Sequence, residues 1–67
     1  MKLNEQPQMS LESARVNAGL TQQELADLLG VNPKTISDWE NKKVRIKPIS
    51  LYGIAYVLKI NADLLRV

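Results

Sequence analysis

The 67-residue chain has neither cysteine nor histidine. Those two absences together exclude disulfides, thiolate nucleophiles, imidazole bases and the common zinc ligand sets. A cysteine-free chain also suits a reducing compartment. Long hydrophobic runs are missing as well. The longest, "IAYVL" from Ile54 to Leu58, is five residues, against the roughly 20 that span a bilayer. The opening "MKLNEQPQM" has no apolar stretch of the kind a secretory signal needs. A soluble, cytoplasmic protein with no membrane contact is therefore expected. Without His or Cys, catalysis would require a Ser–Lys or paired-carboxylate site in a pocket that a chain this short can hardly form. The sequence accordingly predicts no enzyme: no catalytic residue, no metal site, no cofactor, and no evident small-molecule ligand.

What is present is helix punctuation. Residues 1–9 hold Asn, Gln and Pro without periodicity and read as a flexible N-terminal tail, followed by one domain over residues 10–67. That length lies near the lower limit for a single apolar core. Ser10 can cap a helix carrying Leu11, Ala14 and Ala18 on one face, with Gly19 as its terminator. Thr21 and Glu24 form a T-x-x-E capping box. The helix it opens has Leu25, Leu28 and Leu29 as its stripe, Ala26 as a small filler and Gly30 at its end. Asn32 and Pro33 start a third helix, since a proline at the first helical position sacrifices no hydrogen bond. Pro48 starts a fourth, with Leu51, Ile54, Ala55 and Leu58 inward, and Asn61 caps a last short one containing Leu64 and Leu65. No segment shows strand-like alternation. The expectation is an all-α fold, a compact bundle of five short helices.

Charge is unevenly placed. The net charge is only +2, yet residues 32–48 hold Lys34, Lys42, Lys43, Arg45 and Lys47 against Asp38 and Glu40, while residues 1–31 have four acids and two bases. At 100° per residue, Ile36 and Trp39 share the inward face of the third helix. Lys34, Asp38 and Asn41 lie near the opposite face, with Ser37 beside them. Apart from Lys34, those side chains are short and hydrogen-bonding, whereas a merely solvated helix favours Glu and Lys. Trp39 reads as core because it shares Ile36's face.

Two short helices over about 22–29 and 33–40, joined by "GVN", have the spacing of a helix-turn-helix, whose second helix can enter a DNA major groove. The stretch "LTQQELADLLGVNPKTISDWENKK" closely resembles the lambda-repressor/Cro-like (XRE) helix-turn-helix family, over about Leu11 to Leu65. Five elements carry the resemblance: T-Q-x-E-L-A, G-V, I-S-x-W-E, the following Pro, and I-A-x-x-L. It implies a DNA-binding transcriptional regulator, most simply a small phage or prophage repressor that binds a two-fold operator as a homodimer, or the DNA-binding part of a larger one. An antitoxin or other protein-binding module on the same fold is the alternative.

The resemblance also implies residue roles. Base reading falls to Pro33, Lys34, Ser37 and Asp38. Pro33 can offer only an apolar contact, Lys34 suits guanine O6 and N7, and Ser37 can donate or accept. Asp38 either accepts from a cytosine amine or orients Lys34 one turn back. Gln22 sits where a helix N-terminus favours a phosphate, and it can also brace the recognition helix. Asn32, Thr35, Asn41, Lys43 and Arg45 are phosphate candidates, with Gln23, Lys42 and Lys47 behind them. The family often has Gly at position 42, so Asn41 is expected to be the left-handed terminator. Arg15 and Glu40 match a family pair that ties the first helix to the third. Tyr52, Tyr56, Leu64 and Leu65, with Ile49 and Val67, exceed what one small core needs. They form either a homodimer seam or a thicker core around the last two helices.

Overall fold

The computed structural model describes residues 8–66. Each helix begins where a side chain accepts from an N–H that the first turn cannot pair for itself, or where a proline removes one. Ser10 Oγ accepts from the Ser13 amide and starts α1, Leu11–Asn17. The Thr21–Glu24 capping box is complete and starts α2, Gln22–Leu29. Asn32 Oδ1 accepts from the Lys34 amide, with Pro33 in the first turn, at the start of α3, Pro33–Glu40. Pro48 opens α4, Pro48–Leu58, which has no side-chain cap.

The four helices also end alike. After each, one residue takes a left-handed conformation: Gly19, Gly30, Lys42 and Lys59, with φ of 75°, 72°, 63° and 59°. Around Gly30, its own N–H donates to the Asp27 carbonyl and that of Val31 reaches back to Ala26. This is a Schellman closure, which satisfies carbonyls the last turn would leave open. The same two bonds recur at Gly19–Leu20, Lys42–Lys43 and Lys59–Ile60. The left-handed terminator of α3 is thus Lys42, whereas the sequence pointed to Asn41. Asn41 stays at φ −89°, because the closure falls one residue later.

α2 packs chiefly on α3, α4 on α2 and on the terminal segment, and α1 on α3. Leu25, Ile36 and Ile54 have no exposed surface, so α2, α3 and α4 each place one large aliphatic side chain at the centre. Burying such a side chain contributes about 1.5–3 kcal/mol, and the relative placement of α2 and α3 rests on these contacts. Leu11, Ala14, Ala26, Trp39, Ala55, Leu58 and Leu65 complete the core. Two expected stripe positions face solvent instead: Leu28 and Ala18 are exposed.

The last predicted helix is a single 3-10 turn, Ala62–Leu64, begun by Asn61. Among the described residues the fold is therefore four α-helices and a turn, where the sequence suggested five helices. Leu65 leaves the turn extended, at φ −92° and ψ 127°, and forms an isolated parallel bridge with Met9. The Met9 N–H donates to the Leu64 carbonyl at 2.6 Å and the Arg66 N–H to that of Met9 at 2.7 Å. Residues 1–7 of the predicted tail lie outside the described residues, as does Val67. Residues 8 and 9, assigned to the tail by their composition, are held in place by this pairing and by the Gln8 amide, which donates to the Asp63 carbonyl.

Candidate nucleic-acid interface

α3 is fastened from behind by a cluster that spans three helices. Arg15 Nε donates to Glu40 Oε2 at 2.6 Å and its Nη2 reaches Oε1 at 3.3 Å. Its Nη1 donates to the Leu20 carbonyl at 2.8 Å, which ties in the turn between α1 and α2. Gln22 Nε2 donates to Glu40 Oε1 at 3.0 Å. The Arg15 and Glu40 side chains are only 11% and 5% exposed. Their hydrogen bond raises the Arg15 pKa, burial opposes this, and the charges of Glu40 and then Glu12 reinforce the rise. The guanidinium therefore stays charged at any physiological pH. The carbonyl of Leu20 is a partner with no signal in the sequence, since it depends on where the α1–α2 turn passes.

The opposite face of α3 is polar and open. Lys34 is exposed, and its ammonium lies 3.3 Å and 3.1 Å from the two oxygens of Asp38, one turn on. Ser37 and Asp38 are half-buried along the same side, Pro33 and Thr35 are half-buried, and Asn32 and Asn41 are exposed. Asn41 Nδ2 donates to Ser37 Oγ at 3.2 Å, so the hydroxyl hydrogen of Ser37 is available to a partner. The Asn32 carbonyl oxygen is committed to its cap, which leaves its amide nitrogen as the outward donor. Beyond α3, Lys42, Lys43, Arg45 and Lys47 are all exposed. The Lys43 N–H donates to the Asp38 carbonyl at 2.8 Å and fixes where that basic loop leaves the helix.

Of the other residues singled out in the sequence, Trp39 is buried and belongs to the core. Tyr52 and Tyr56 are exposed and Leu64 is half-buried. Leu65 is only 4% exposed. Its bridge to Met9 turns it into this chain's own core, so it leaves the expected seam. Gln22 is half-buried, with its amide on Glu40, in the bracing position. Among the described residues no group of His, Cys, Asp and Glu is arranged to hold a metal ion, and no helix is long and apolar enough to cross a membrane.

Two short helices joined by a glycine closure, the second braced from behind and polar in front, define a helix-turn-helix domain. The chain matches the helix-turn-helix family over residues 11–65. It belongs to that family, in its XRE-type branch of DNA-binding transcription regulators, which is not an enzyme class. Among solved structures, the clp gene regulator ClgR from C. glutamicum is similar, with a TM-score of 0.75 and 26% identity over 79% of this chain and 69% of that one. Among curated protein sequences none matches significantly.

Proposed function

We propose that the protein is a sequence-specific transcriptional repressor that binds a two-fold operator as a homodimer, with α3 in the major groove. The observation that carries this reading is the division of α3. Ile36, Trp39 and Glu40 lock one side to the body, while Lys34, Ser37 and Asp38 are presented on a rigid element on the other. Lys34 reads guanine from the first turn. Asp38 holds its ammonium in place, a role that their contact supports. Ser37 reads beside them, and Pro33 offers apolar surface to a thymine methyl. Asn32, Thr35, Asn41, Lys43 and Arg45 hold phosphates and set register. Gln22 contributes from the N-terminus of α2, where unpaired N–H groups favour an anion. The hydrogen bond that its amide donates to Glu40 couples that phosphate to the position of α3. Repression follows if the bound dimer blocks polymerase.

The dimer would place two copies of α3 in successive major grooves, about 34 Å apart. Tyr52 and Tyr56, with Ile49 on the same side of α4, are the exposed apolar surface that supports it. A protein-binding module such as an antitoxin would use the same surface, so the partner found there separates the two readings. Selection from a random duplex library at several salt concentrations tests the proposal. A single motif with two-fold symmetry should emerge, and affinity should fall steeply with salt as phosphate contacts release counterions. Equal binding to every duplex would overturn it.

A further inference from the structure

The closure of α3 and the two ends of the domain meet around a cleft of about 290 Å³ that the DNA-reading face does not use. Its apolar walls are Leu11 from α1, Trp39 from α3, and Val44 and Ile46 from the basic loop. Lys42, Arg45 and Arg66 line it as well, and all three are exposed. We propose that this cleft is a binding site for a small amphipathic carboxylate, an aromatic ring with a short acidic arm, and that its occupancy weakens DNA binding. The regulatory half rests on the DNA-binding reading above. The site itself does not.

Charge is the first argument. Three cations converge on one cleft, and among the described residues no salt bridge reaches them. The single carboxylate in the lining, Glu40, already accepts from Arg15 and Gln22, so it leaves the rim positive. A ligand carboxylate would make charge-assisted hydrogen bonds there. The apolar walls then select against a bare inorganic anion, because covering Val44, which is 50% exposed, rewards an apolar body. The volume lies near the lower end of small-molecule sites, which suits one ring and a short arm.

Lys42 closes α3 at φ 63°, as Lys59 closes α4 at φ 59° away from the cleft, so its contribution to the site is its charge. The coupling follows from shared parts. Trp39 and Glu40 belong to α3, and Arg45 is a proposed phosphate contact. A ligand that draws Arg45 into the cleft withdraws it from the backbone of DNA.

Trp39 is the only tryptophan and lines the site, so its fluorescence reports occupancy without a label. The probes are phenylacetate, its neutral analogue phenylacetamide, and inorganic phosphate. Phenylacetate should change Trp39 emission saturably, with phenylacetamide about tenfold weaker for want of the charge and phosphate without effect. Arg66→Gln, outside α3 and outside the proposed DNA contacts, should weaken phenylacetate about tenfold as well, with an unchanged circular dichroism spectrum. No saturable response, or an equal response to the amide or to phosphate, overturns the site whatever the variant does. Saturating phenylacetate should lower affinity for the selected duplex about fivefold in the native protein and far less in Arg66→Gln. Binding in the cleft with unchanged DNA affinity removes the regulatory half alone. A protein that selects no duplex removes the proposed function, while the fluorescence titration still decides the cleft.

Discussion

Lys34 and Lys43 carry the same charge to different tasks. Lys34 projects from the first turn of α3 beside Asp38, whereas Lys43 stands at the start of the loop, where its backbone is tied to the Asp38 carbonyl. If one reads a base and the other holds a phosphate, their alanine variants must differ in kind. Lys34→Ala should cost about 1–3 kcal/mol on the selected duplex and relax preference at one base position. Lys43→Ala should weaken all duplexes alike and make the salt slope shallower by about one. Competition binding against single-base variants of the selected motif separates the two. Arg15 acts on neither base nor phosphate. Arg15→Met would leave the Glu40 carboxylate nearly buried with only Gln22 against it, at a cost of about 3 kcal/mol. A domain of this length is stabilised by about 3–10 kcal/mol in all, so the urea midpoint should drop sharply, and adding Glu40→Leu should restore much of it. The pH dependence of this pair follows from the direction of the Arg15 shift. A pKa raised in the fold contributes stability fully below the unfolded value, and that contribution is lost only as pH rises through the folded one. Through Arg15 no loss is therefore expected near neutrality.

At the scale of elements, the four closures set up an internal comparison. α1 and α2 end on glycine, α3 and α4 on lysine, all with positive φ. Lys42→Gly and Lys59→Gly should each stabilise the fold by about 1 kcal/mol, since each removes a Cβ from a left-handed residue. That corresponds to about 4–8 °C in melting temperature for a domain this small. Only Lys42→Gly should also weaken ligand at the cleft, so calorimetry and the fluorescence titration together distinguish strain from function. The same closures mark what the sequence could disclose. Thr21 with Glu24, Asn32 with Pro33, and Gly30 announce themselves because a cap is decided within four residues. Lys42 does not, since nothing in a lysine signals positive φ. Leu28 misled for a related reason. Leucine at 28 continues the period of 25 and 29, but α2 turns the arc containing Ala26 inward, which leaves Leu28 on the flank. Leu65 and Met9 were illegible because their bridge joins positions 56 residues apart in the chain, and no local pattern encodes such a meeting. The division of α3, by contrast, is legible from the helical period alone, which puts Ile36 and Trp39 inside and Lys34 and Asn41 outside.

Among the described residues, α4 carries the three most exposed large apolar side chains. Ile49, Tyr52 and Tyr56 are 82%, 67% and 85% exposed, and at i, i+3 and i+7 they form one stripe on α4, roughly opposite the buried Ile54, Ala55 and Leu58. With Leu65 drawn into the core, this stripe carries the proposed joint between two copies. Tyrosine suits such a role because it buries a large ring while its hydroxyl can find a partner at the rim. A two-fold axis across this stripe would bring the same residues face to face and leave both α3 surfaces free for successive grooves. Neither tyrosine supports the core, so Tyr52→Glu with Tyr56→Glu should leave the melting temperature of the isolated fold nearly unchanged. It should convert a dimer to a monomer in sedimentation equilibrium, because like charges would then meet across the axis. The paired variant should bind a single half-site as the native protein does, but lose the added affinity that tethering gives a two-fold site. A native protein that sediments as a monomer at high concentration removes the seam. The exposed tyrosines would then belong to a different protein partner.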